Sequence, residues 1–175
     1  MALAVCLLFD PVTDRAVRKL WARLETYDGV DTPLTHTHGH HVPHLSYAVL
    51  RTFDVAAVHA AMGALPPGPP LALRFDAVGL FRRRRAALMP AASAALLARQ
   101  AAVVAAALGT GADLHHHYRP DAWIPHCSIA TGVRRARIGD LTTGAFDVLP
   151  LHGVAEHAAL VDSATGERWP LPHLV

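Results

Sequence analysis

Two short stretches of this chain carry an imidazole and a hydroxyl at the same spacing. His44 and Ser46 stand in Val42-Pro43-His44-Leu45-Ser46-Tyr47-Ala48, and His126 and Ser128 stand in Ile124-Pro125-His126-Cys127-Ser128-Ile129-Ala130, 82 positions later (126 − 44). Extended backbone sends alternate side chains to opposite faces. Each His therefore shares a face with its Ser, about 6.6 Å along the strand, while Leu45, Tyr47, Cys127 and Ile129 turn the other way. Such a strand is half core and half working surface. Two of them predict a pair of imidazoles facing one cleft.

Breaking or forming a phosphodiester without a metal calls for one group to take a proton from the attacking oxygen and another to give a proton to the departing one. Histidine titrates near neutrality, so one imidazole can be neutral while the other is charged. The serine hydroxyls fall on the same face and can donate to phosphoryl oxygens as these gain charge. Neither motif contains an Asp or Glu to orient a His-Ser pair, which argues against serine as nucleophile.

The rest of the chain must hold these strands. At 175 residues, 52% hydrophobic and 17% charged, it can fold as one domain over 1–175 or as two intimate lobes. A formal charge of +2 is too small for a protein that coats duplex nucleic acid, leaving small anionic or single-stranded partners. Cys6 and Cys127 sit in apolar runs without a disulfide framework, which predicts a reducing, cytoplasmic setting. The start, Met1 to Phe9, has no basic lead and reads as a buried first strand, not a signal peptide. Asp10-Pro11 predicts a helix start, with Val17, Leu20 and Leu24 on its apolar face. A His-rich loop is expected over 28–43 and a strand from His44 to about Leu50. Then come an Asp54-capped helix through Met62, a strand from Leu71 to Phe75, another near Ala86 to Met89, and an Ala-rich helix from about Ala92 to Leu108. After the second motif, a short helix is expected around Arg134 to Leu141, with closing strands near Val154 to Asp162 and Arg168 to Pro172. No stretch reads as a membrane span. The order strand, helix, strand around each motif suggests a duplicated half.

With those pieces in order, the chain resembles the two-histidine (2H) phosphoesterase superfamily, nearest to its bacterial 2′-5′ RNA ligase and RNA 2′,3′-cyclic phosphodiesterase branch. The resemblance rests on His44-Leu45-Ser46-Tyr47 and His126-Cys127-Ser128-Ile129, on Leu73 to Phe81 followed by basic residues and an apolar strand, and on Ala159 to Ser163 before a Gly turn. It implies an α+β, bilobal, duplicated fold, with antiparallel-rich sheets flanking a central groove and helices outside. It also implies cofactor-free, metal-independent chemistry on 2′,3′-cyclic phosphates or 2′-5′ linkages, with His44 and His126 as acid and base and Ser46 and Ser128 as phosphate ligands. The family commonly has Thr where this chain has Ser twice. It also often has a basic residue soon after the second motif, where Thr131 stands here and Arg134 or Arg135 could substitute.

Blander readings stand beside these. A lone His-x-Ser on a strand is usually structural. His36, His38, His40 and His41 invite a metal, yet they lack thiol companions, and a solvated entry loop lining the groove is the expectation. His115-His116-His117 reads as a polar turn. Arg82 to Arg85 is a solvated bend or a set of phosphate contacts. Tyr118 could stack a base or form a surface pair with Arg119, while Trp123 suits the core. Candidate substrate-binding residues are thus Arg82, Arg83, Tyr118 and Arg134. The expected partner is an RNA end or small cyclic nucleotide, single-stranded and not duplex, met by a monomer away from membranes. A non-catalytic single-stranded RNA-binding module and a His-loop metal protein are the alternatives.

Overall fold

In the computed structural model, residues 2–171 and His173 are described. Strand β1, Leu3–Phe9, is almost wholly buried. Asp10 then caps helix α1, Pro11–Leu24, its carboxylate accepting from the amides of Val12 (2.7 Å) and Thr13 (3.1 Å). Proline at the first helical position loses no hydrogen bond there. The same carboxylate accepts from the Val154 amide at 3.1 Å, which ties the cap to a strand late in the chain. Val17, Leu20, Trp21 and Leu24 are the buried face. After β2, Val30–Asp31, and β3, His44–Leu50, Asp54 caps α2, Val55–Gly63. β4, Leu71–Phe81, and β5, Arg85–Pro90, form a hairpin. Ser93 caps α3, Ala94–Gly109. β6, Cys127–Ala130, β7, Gly132–Val133, α4, Ile138–Phe146, β8, Leu151–Asp162, and β9, Arg168–Leu171, complete the order.

Seven strands form one antiparallel sheet in the order β3-β1-β8-β4-β5-β6, with β9 also on β8. β8 is the common member. Its first residues, Leu151 to Ala155, pair with β4, and Ala155 to Asp162 pair with β1, while β9 takes the flank opposite Ala158 to Val161. The two motif strands, β3 and β6, thus lie at opposite ends of the strand order. β3 and β6 nevertheless come into contact, and an indole from the segment just before β6 bonds β3. α2 and α3 pack together, with α3 on β3, whereas α1 packs on α4 and β6. The motif strands are therefore each covered by a helix distant in sequence, and the two lobes interleave along the chain.

Several elements differ from their sequence expectation. Val30–Asp31, expected as loop, pairs with Gly132–Val133 in a two-stranded sheet beside the second motif. The helix expected over Arg134 to Leu141 begins only at Ile138, after a 3-10 turn at Arg135–Arg137, and runs to Phe146. Its apolar face, Leu141 and Ala145, is short and diluted by Gly139, Thr142, Thr143 and Gly144, so the periodic signal is weak. The second motif strand starts at Cys127, one residue after His126. Pro172, expected in the last strand, lies outside the described residues. Among the described residues no helix is long and apolar enough to cross a membrane.

Candidate functional site

The alternation written in the two motifs holds in three dimensions. Leu45, Tyr47, Cys127 and Ile129 are fully buried, while His44, Ser46, His126 and Ser128 are half-buried on the opposite face. Each imidazole is locked the same way. His44 Nδ1 donates to the Val42 carbonyl at 2.7 Å, and His126 Nδ1 donates to the Ile124 carbonyl at 2.8 Å. The intervening Pro43 and Pro125 fix the backbone of that small loop. A carbonyl can only accept, so Nδ1 carries the proton in both rings and Nε2 is left for a substrate.

Two indoles pin the strands that meet at the groove. Trp21 Nε1 of α1 donates to the Ser128 carbonyl at 2.9 Å, and Trp123 Nε1 donates to the Ser46 carbonyl at 3.0 Å. Both carbonyls belong to edge strands with no ladder partner across the groove, and both are satisfied by a tryptophan from elsewhere in the fold. Gln100 of α3 does similar work behind β3. It is buried, and its amide reaches the Tyr47 and Tyr118 carbonyls at 3.1 and 2.8 Å.

The electrostatic environments of the two histidines differ. Burial opposes the charge on His44, but attraction and a hydrogen bond from the Cys6 sulfur, together with the Val42 carbonyl, outweigh it and raise its pKa to about 9. Burial pushes His126 down, and the charges of His44 and Arg85 add to that effect against the Ile124 carbonyl. At neutral pH one imidazole is therefore charged and the other neutral.

A cleft of about 140 Å³ is lined by His44, Ser128, Arg85, Thr131, His36 and His41. A neighbouring one of about 270 Å³ shares Arg85 and adds Phe81, Arg84, Val133, Arg135 and Ile138. The Phe81 and His126 rings lie 5.0 Å apart, which joins the second cleft to the catalytic candidates. Arg82 and Arg83 sit on the exposed β4–β5 turn, where Arg83 and Arg84 adopt φ of 62° and 60° without glycine. Such left-handed backbone costs an ordinary side chain energy and draws attention to the turn. Arg84 and Arg85, not Arg82 and Arg83, line the clefts. Arg134 is ion-paired to Asp28 at 3.1 Å and lines neither. Tyr118 is half-buried rather than a surface partner of Arg119. Trp123 is in the core, as its type suggested.

The histidine loops are packed among themselves. The His38 and His41 rings lie 4.2 Å apart, and His41 Nε2 is held by the His36 carbonyl (3.0 Å) and Thr37 Oγ1 (2.7 Å). Burial, reinforced by His38, lowers the His41 pKa to about 4. Among the described residues no group of three His, Cys, Asp or Glu is placed to hold a metal. His36 and His41 instead help wall the cleft that holds His44. His115, His116 and His117 stack beside Arg51.

The residues missed in the sequence are Trp21, Cys6 and Gln100, whereas Arg85 stands out there only as part of the Arg82 to Arg85 run. Gln100 alone carried a signal, as a polar side chain in an otherwise apolar Ala-rich helix.

The fold is shared with solved structures of low sequence identity. These include TT0787 of Thermus thermophilus (TM-score 0.66, 15% identity, covering 98% of each chain). E. coli LigT complexed with 3′-AMP gives a TM-score of 0.61 at 14% identity, covering 97% of this chain and 93% of that one. A structure described as a phosphoesterase gives 0.59 at 14%, covering 97% and 94%. No curated protein matches the chain. The family model of the 2′-5′ RNA ligase superfamily matches residues 12–167, so the chain belongs to that superfamily, the 2H phosphoesterases.

Proposed function

We propose that this protein is a metal-independent phosphodiesterase acting on single-stranded RNA ends that carry a 2′,3′-cyclic phosphate, with the reverse chemistry making or breaking 2′-5′ linkages. One observation carries the reading: two imidazoles at matching places in the two motifs are each fixed through Nδ1 to the carbonyl two residues back, which leaves both Nε2 atoms for a substrate. His126, neutral, takes a proton from water through Nε2 as the water oxygen bonds to phosphorus. The bond from phosphorus to one ribose oxygen breaks, and His44 gives that oxygen its Nε2 proton. The product is a phosphomonoester, and proton exchange with solvent resets both rings. With an RNA hydroxyl in place of water, the same steps join two strands.

Ser46, Ser128 and Arg85 are the ligands of the phosphoryl oxygens in this scheme, stabilising charge that grows as the fifth bond forms. The neighbouring cleft, apolar along Phe81, Val133 and Ile138 and basic at Arg84 and Arg135, suits a nucleoside and its phosphate. Arg82 to Arg85 and Arg51 form no ion pair among the described residues, which leaves them free for a phosphate chain. The nucleotide in a LigT complex of the same fold fits this reading.

The test is hydrolysis of a short RNA ending in 2′,3′-cyclic phosphate with EDTA present, for wild type, His44→Ala and His126→Ala. Turnover to a single phosphomonoester by wild type, lost in both variants, is expected. Activity that disappears with the chelator would show a metal-dependent reaction and refute the scheme.

A further inference from the structure

Cys6 is a buried nucleophilic group that the reaction above leaves unused, and it sits against both of the first motif's polar side chains. It is fully buried on β1. Its sulfur lies 3.7 Å from Ser46 Oγ, and two residues on along β1, Leu8 pairs with His44. A bulge puts it there. Val5 pairs with Ala48, and unbroken pairing would then set Cys6 against Tyr47 and Leu7 against Ser46. The register shift between Val5 and Cys6 instead brings Cys6 opposite Ser46, on the groove face.

We propose that Cys6 is a positioning residue for the two-histidine reaction: its sulfur fixes the Ser46 hydroxyl and, through the shared strand face, the His44 imidazole beside it. The proposal rests on the phosphodiesterase reading for the reaction it serves. The groups facing His44 are Cys6 from β1, His126 ahead of β6, His41 from the loop before β3 and Arg85 from β5. The last three bring positive charge or none, so Cys6 is the group among them that favours the imidazolium. Without it, burial opposes the charge and the Val42 carbonyl still favours it, so the midpoint should fall from near 9.

An NMR titration of the imidazole Cε1 protons tests this without relying on turnover. Wild type, Cys6→Ala and Cys6→Ser are compared, with His44→Gln used to identify the resonance, beside pH profiles of kcat/KM on the cyclic-phosphate RNA. The expected result is a His44 midpoint near 9 in wild type and a clearly lower one in Cys6→Ala. The alkaline limb of the rate should move with it. A midpoint returned to the ordinary 6.5 would lower the charged fraction at pH 8 about 30-fold, and kcat/KM with it. Cys6→Ser, which keeps a hydrogen-bonding atom, should recover part of both. If Cys6→Ala fails to fold, Cys6→Val, close to the thiol in volume, makes the same comparison. A His44 midpoint unchanged by loss of the sulfur would overturn the proposal whatever the enzyme turns over. Absence of wild-type turnover with a midpoint that still moves would refute the phosphodiesterase reading, and the proposed role would fall with it.

Discussion

Replacing Trp21 by Phe would remove one atom that matters, the indole N–H that donates to the Ser128 carbonyl at 2.9 Å. The ring is 1% exposed, so water cannot simply take the place of the lost donor. Leaving the partly buried carbonyl unpaired costs about 1–2 kcal/mol, and the smaller ring leaves space worth roughly another 1 kcal/mol. A loss of about 2–3 kcal/mol is substantial for a domain whose total stability is on the order of 5–15 kcal/mol. The effect on chemistry should be larger than the effect on folding implies. β6 is the end strand of the sheet, and the indole fixes it on the side facing the groove. Displacement of Ser128 by about 1 Å would lower kcat/KM on the order of 100-fold. Urea unfolding followed by circular dichroism, beside kcat/KM at a temperature where the variant is folded, separates the two. A variant that is less stable yet hydrolyses at the wild-type rate would refute the claim that the indole positions Ser128 for phosphate.

Other substitutions probe the rest of the site. Gln100→Leu should lose about 2–3 kcal/mol in urea unfolding, because it orphans the Tyr47 and Tyr118 carbonyls together. Arg85→Gln should lower kcat/KM about 10- to 100-fold and weaken its dependence on salt, since Arg85 borders both clefts. Asp10→Ala should cost about 1–2 kcal/mol through the lost cap. Burial alone would raise the Asp10 pKa, but hydrogen bonds from Thr13, Val12 and Val154 lower it below 3.8. Its contribution is therefore complete above that value and fades as pH falls through the lowered one, which acid unfolding of wild type and variant would reveal.

The motifs were legible because a strand writes its two faces as alternation, and a proline immediately before each His fixes the local loop that holds the imidazole. The helix starts at Asp10 and Asp54 are likewise local chemistry, in which a side chain meets amides two or three residues on. What lay outside the sequence was pairing across distance. Val30–Asp31 is too short to show periodicity and becomes a strand only because Gly132–Val133 lies beside it. Trp21 is 107 positions from the carbonyl it holds, and Cys6 reaches Ser46 through a bulge that no residue pattern announces. Arg134 and Arg135 are neighbours in sequence, yet the first is paired with Asp28 and the second lines a cleft, a difference set by the turn between them and α4. The bland expectation for the histidine loop, a wall of the groove, matches where His36 and His41 lie.

The pH dependence of kcat/KM for hydrolysis of an RNA 2′,3′-cyclic phosphate, measured in EDTA, tests the central claim most directly. His126 must be neutral and its pKa is lowered, so the acid limb should fall below 6.5, while His44 must be charged, so the alkaline limb should fall near 9. The plateau is wider than two ordinary histidines would give. A rate that stays flat from acid through alkaline pH, or limbs that survive in His44→Ala and His126→Ala, would contradict two-histidine acid-base catalysis.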